Sequence, residues 1–207
     1  MDEAGCFRSR CRGQEEEGVN IDLARPGSLG AGLVLLLAAC SGASAEVLKM
    51  TVPADSGVHV YWWPALPMPR GWVHDEEVSR ERELNVILPI GKAFDDAPAV
   101  IYARADYKQR FPQVHSLADY MHQDKVDIGS QSPTAAIADR PDVKTGDGAT
   151  LKVVSYALPA KRQWELAAYG EEGDFYLQFT VSASTEADLK DAEGVFYGLL
   201  AKYKKQP

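Results

Sequence analysis

Apolar and polar residues alternate without a break from Phe175 to Ser182. Phe175, Leu177, Phe179 and Val181 fall on one side, and Tyr176, Gln178, Thr180 and Ser182 on the other. That period of two predicts a β-strand. Leu151 to Leu158 and Gln163 to Gly170 read as two more, and the Gly170 to Asp174 link, GEEGD, turns the last two strands into an antiparallel hairpin. After Ser182 the period changes. Thr185 and Asp188 make a capping box, and Leu189, Ala192, Phe196, Leu199, Leu200 and Tyr203 then recur at helical spacing. The stripe they form has one destination, the face of the sheet. Gly194 and Gly198 each cost roughly 1 kcal/mol in a helix interior relative to alanine, which predicts close helix-to-sheet approach at those two positions.

Earlier in the chain the pattern is shorter and more broken. Leu48, Met50 and Val52, then Val58, Val60 and Trp62, alternate on either side of a Pro53 to Gly57 turn and predict two short strands. In the Trp62 to Trp72 stretch that follows, Pro64, Pro67 and Pro69 stop helix and favour an extended, polyproline-like segment. Trp62, Trp63 and Trp72 there are candidates for an aromatic patch that binds a partner; the plainer reading is a stiff strap whose tryptophans plug the core. His74 to Glu83 is charged and predicts an exposed strand or hairpin edge, leading into a buried strand with Leu84, Val86 and Leu88 facing one way. Asp75, Glu76 and Glu77 fit a solvated face better than a paired-carboxylate site. Asp95 to Pro98 is a turn, and Ala99 to Arg104 a strand.

A second capping box, Ser116 with Asp119, opens a helix from about Leu117 to Lys125 or a little beyond. His115, Asp119 and His122 stand at i, i+4 and i+7, a spacing that could present three metal ligands on one helical face. The same box places His115 ahead of the N-cap, off the helical lattice, so surface histidines are the better reading. Gly129 to Gly148 is poor in apolar residues and predicts a long loop. Its Asp139, Asp142 and Asp147 lack the spacing of a calcium loop and suit turns.

The N-terminal stretch has a different character. An apolar run from Leu33 to Ala39 meets Cys40, and Ser41 to Ala45 are small. The run is too short to span a bilayer, which needs about 20 residues, so it reads as a cleaved export leader. Leu37-Ala38-Ala39-Cys40 resembles the bacterial lipobox, in which the cysteine is lipidated and becomes the new N-terminus; Ala43-Ser44-Ala45 before Glu46 is an equally regular site for ordinary cleavage. Ser41 after the cysteine implies sorting to the outer membrane. The acidic Glu15 to Glu17 block fits poorly in a leader and suggests translation starting near Val19. Three segments follow: a presequence over residues 1–45, N-terminal strands and linker over 46–65, and a folded domain over 66–207.

Composition narrows the function classes. Of 207 residues, 45% are hydrophobic and 25% charged, values of a globular chain. The formal net charge of −8 repels phosphate backbones, which disfavours nucleic-acid binding. Cys6, Cys11 and Cys40 all lie at or before the leader, so the domain has no cysteine for a disulfide or a metal. No G-x-S-x-G, H-E-x-x-H or P-loop stands anywhere in the chain, and nothing points to a cofactor.

The order of elements, with Pro69-Arg70-Gly71-Trp72, the Ala99 to Arg104 strand, the Ser-capped helix, the GEEGD hairpin and the terminal amphipathic helix, resembles the PsbP-like α/β sandwich. That fold is known from an extrinsic photosystem II subunit, a nuclear Ran-binding factor and small bacterial envelope lipoproteins. The resemblance covers roughly Leu66 to Lys205. It implies an α+β domain, an antiparallel sheet flanked by helices, that acts by binding or assisting assembly and carries over no catalytic residue. The expectation is a non-enzymatic lipoprotein at the periplasmic face of the bacterial outer membrane, anchored through Cys40 and serving a protein partner. Alternatives are a soluble periplasmic protein, a periplasmic hydrolase, or a binding domain for a small apolar ligand.

Overall fold

A computed structural model describes residues 47–54 and 57–204. The leader, Cys40 and both cleavage sites lie outside the described residues. In chain order the elements are β1 (Val47–Ala54), β2 (Gly57–Pro64), β3 (Trp72–His74), α1 (Glu76–Arg82), β4 (Asn85–Pro89), β5 (Ala99–Tyr107), α2 (Leu117–Gln131), β6 (Ala136–Lys144), β7 (Thr150–Leu158), β8 (Gln163–Glu172), β9 (Phe175–Ala183) and α3 (Glu186–Leu200).

The alternating segment, now β9, takes the central position of a seven-stranded antiparallel sheet ordered β3-β4-β5-β9-β8-β7-β6. Its two rows of side chains are both buried. Leu177, Phe179 and Val181 meet Phe196, Leu199, Leu200 and Tyr203 of the α3 segment in the largest core cluster. On the opposite face Tyr176 joins Tyr120 and Ile128 of α2 with Tyr156 and Tyr169. A third cluster, Leu84, Val86 and Leu88 with Val100 and Tyr102, lies against Val78 of α1. The result is the expected α+β sandwich, helices on both faces of one antiparallel sheet. β1 and β2 form a separate antiparallel hairpin. It is docked rather than appended: Val47 and Trp62 pack at the margin of the largest core, and Asn85 Nδ2 donates to the Pro64 carbonyl at 2.9 Å.

Local signals that carry their own chemistry behave as read. Ser116 and Thr185 each accept a hydrogen bond at 3.1 Å from the backbone of the aspartate three residues on. Gly173, at φ +53°, sits in the two-residue turn between Glu172 and Phe175.

Three expectations are corrected. His74 to Glu83 is not extended: seven of its residues form α1, capped by Asp75, which accepts from Val78 N at 3.0 Å. Glu76 and Glu77 stand in the first turn and Arg80 and Arg82 in the last, an order of charge that opposes the helix dipole at both ends. The expected long loop at Gly129 to Gly148 is mostly regular. α2 runs on to Gln131, and Ala136–Lys144 is the edge strand β6, whose register shifts between Arg140 and Val143, around Pro141. An edge strand that packs only Ile137 and Val143 against the core clusters and is otherwise exposed needs no full apolar row, hence its loop-like composition. Finally, Gly194 and Gly198 lie on the exposed side of α3, and a Cβ at either would meet nothing within 4 Å. The close approach is at Gly170 instead, where a Cβ would come 2.5 Å from Leu151 Cδ2.

Candidate functional site

Alternation along β2 sends Tyr61 and Trp63 one way and Trp62 the other. Trp63 is only 4% exposed. It meets Tyr61 edge-on at 5.4 Å between ring centroids and His74 at 5.7 Å. It therefore plugs the structure. Trp72 is half-buried against the α3-side core. Trp62 is half-buried too, but in different company. Its ring lies 5.5 Å from Tyr107 and 5.7 Å from Phe175, and these two, cross-strand partners on β5 and β9, lie 5.5 Å from each other. Over Trp62 sits the Arg110 guanidinium, 4.6 Å from the ring centroid, with Nη1 donating to the Val60 carbonyl at 3.1 Å. Among the described residues no carboxylate pairs with Arg110. Its neighbour Lys108, by contrast, pairs with Glu171 at 3.3 Å. Three rings and an uncompensated guanidinium thus meet at one corner of the sheet.

The histidine constellation is placed differently. Asp119 Oδ2 accepts from the His115 backbone N–H at 3.2 Å, so its carboxylate serves the helix cap. His115, Asp119 and His122 are exposed, and among the described residues no group of three His, Cys, Asp or Glu is arranged to hold a metal.

Sequence reasoning missed a buried polar network between α2 and the sheet. Asp124 Oδ2 accepts from the hydroxyl of Tyr169, from that of Tyr156 at 3.3 Å and from Gln178 Nε2 at 3.4 Å. The two phenol oxygens lie 2.7 Å apart. One turn earlier, the Tyr120 hydroxyl donates to Asp106, while Arg104 lies 3.1 Å from Asp106 through Nε and donates to the Tyr120 oxygen at 3.2 Å through Nη2. Burial, with the neighbouring carboxylates, pushes the Tyr120 and Tyr169 phenols well above their ordinary value of 10.0. The phenols stay neutral donors at physiological pH, and the network fastens helix to sheet. Tyr120 and Asp124 one helical turn apart were its only trace in the sequence.

Searches of protein-family models and of curated proteins return no match. Among solved structures the chain is similar to PA94 of Pseudomonas aeruginosa, a protein of unknown function (15% identity, 77% of this chain and 98% of that one, TM-score 0.44). It is similar also to the cyanobacterial PsbP of Synechocystis (11% identity, 79% and 95%, TM-score 0.42). A third is the Ran-binding protein Mog1p of Saccharomyces cerevisiae (9% identity, 73% and 85%, TM-score 0.38). The PsbP-like fold, which the order of elements resembles, is thus among the similar structures.

Proposed function

We propose that this protein is a non-enzymatic lipoprotein of the bacterial cell envelope, exported by the Leu33 to Ala45 leader, acylated on Cys40 and held at the periplasmic face of the outer membrane, where it binds another protein. The observation that supports binding is the corner at Trp62. Tyr107 and Phe175 pack against the indole and the Arg110 guanidinium lies over its ring, so these side chains are already ordered before a partner arrives. Aromatic residues and arginine are the usual anchors of protein interfaces. The guanidinium, which no carboxylate among the described residues pairs with, fits an acidic side chain of the partner.

Photo-crosslinking from the exposed neighbour Gln109 in the native envelope, read by mass spectrometry, tests this reading. One protein should be recovered from the wild type and lost with Arg110→Glu, while thermal stability changes by no more than about 1 kcal/mol, the worth of an exposed cation–π contact. Identical crosslinks from both forms would refute the corner as the binding surface. The anchor has its own test. Cys40→Ala should release the protein from the membrane, whereas an intact mass beginning at unmodified Glu46 would reject acylation and leave a soluble periplasmic protein.

A further inference from the structure

Pro53 sets the hydrogen-bonding parity of the β1–β2 hairpin. It has no N–H, so the Pro53–Val58 pair cannot exchange two hydrogen bonds. The Val60 carbonyl, opposite Thr51, accepts from Arg110 Nη1 at 3.1 Å, and the Pro64 carbonyl, opposite Val47, accepts from Asn85 Nδ2 at 2.9 Å. Both carbonyls therefore point away from β1. Pairs in an antiparallel ladder alternate between those that exchange bonds and those that do not. Val47, Lys49 and Thr51 thus turn their N–H and C=O groups outward, away from β2, and among the described residues no strand lies beyond them.

The other strand edges offer less. β2 has Arg110 and Asn85 on its outward carbonyls, and β3 is three residues long. β6 carries Pro141 and a register shift, and its Asp139, Arg140 and Asp142 are held by Lys125, Glu193 and Lys152 at 2.6, 3.6 and 2.7 Å. Proline, irregular register and charge are the devices by which proteins keep an edge from pairing. β1 has a single charge, Lys49, and Pro53 stands only near its end. Lys49 is exposed and lies directly across from Trp62, on the face that carries the aromatic corner. Among the described residues no carboxylate pairs with it. Glu83 reaches the hairpin from α1 on the other face, where His59 holds it at 2.6 Å, and Glu46 and Asp55 stand in sequence beyond the two ends of Val47–Ala54.

We propose that the protein partner docks by adding an extended segment to the outer edge of β1, with an acidic side chain opposite Lys49. This edge extends the binding surface at Trp62, and its assignment rests on that surface being the one the partner uses. Main-chain hydrogen bonds to Val47, Lys49 and Thr51 give such a segment its affinity. The Lys49 charge, with Arg110 beyond Trp62, selects an acidic one. A second copy of this chain fits less well, because its own β1 carries no acid to set against Lys49.

Photo-crosslinkers placed singly at Leu48, 37% exposed on β1, and at Gln109 read the edge and the corner separately in the native envelope. Both should capture one and the same protein. Thr51→Pro removes an outward N–H without touching the ladder to β2, and Lys49→Glu reverses the charge; each should lower the Leu48 product about tenfold. Thr51→Ala, which keeps the N–H, should restore it. Equal yields from Thr51→Pro and Thr51→Ala, no product from Leu48, or a product joining two copies of this chain would overturn the proposal. Loss of the Leu48 product with Thr51→Pro, while Arg110→Glu leaves the Gln109 product intact, would refute the corner and leave the edge standing.

Discussion

The most consequential single residues are buried and polar. Asp124 brings a carboxylate beneath α2, and its Oδ2 is answered by two phenols and an amide. Removing one donor leaves a buried carboxyl oxygen with fewer hydrogen bonds. Tyr169→Phe should therefore destabilise the protein by about 1–3 kcal/mol, seen as a lower urea midpoint with an unchanged slope. The phenols also set a pH limit. Their folded-state pKa values lie well above 10.0 because burial opposes ionisation. Their contribution is complete below pH 10 and is lost as pH rises past it, since the unfolded chain then releases protons that the folded one retains. Alkaline titration of stability should show a fall beginning near pH 10, and Tyr169→Phe should make it shallower. Nothing in the sequence marks Asp106, Asp124 and Gln178 as interior: on one strand or one helix each is an ordinary polar residue. Only the neighbouring elements supply their hydrogen bonds.

At the scale of elements, the signals that proved reliable are those whose partners lie three or four residues away. Ser116 with Asp119 and Thr185 with Asp188 begin helices because hydroxyl and amide meet within one turn. Asp75 with Val78 is the same device, obscured by the charge around it, and Asp75→Ala should cost about 1 kcal/mol in thermal unfolding. The helical glycines misled because a missing Cβ has two explanations, close packing or mere tolerance. Gly194 and Gly198 face outward with open space around them, so Gly194→Ala and Gly198→Ala should each raise stability by about 1 kcal/mol. Gly170→Ala should do the reverse, by about 1–3 kcal/mol, since the new methyl group would overlap Leu151. Calorimetry on the three variants separates the cases.

Across the whole molecule, stability should be graded from the centre of the sheet outward. β9 and β8 are covered on both faces, whereas β6 is exposed along most of its length and β1 is paired on one side only. Native-state hydrogen exchange should find the slowest amides in β8 and β9 and the fastest strand amides in β1 and β6. The same gradient explains what could be read in advance. The residues alone determined the capped starts of α2 and α3, the strands β7 to β9 and their hairpin, the amphipathic stripe of α3 and the acidic charge, because each depends on neighbours close along the chain. Only the tertiary structure decided that both rows of β9 are interior, that Trp63 is a plug while Trp62 joins Tyr107, Phe175 and Arg110, and that Asn85 and Arg110 reach the edge of β2 away from β1. Those arrangements pair residues tens of positions apart, and their free energy exists only once the strands between them have closed.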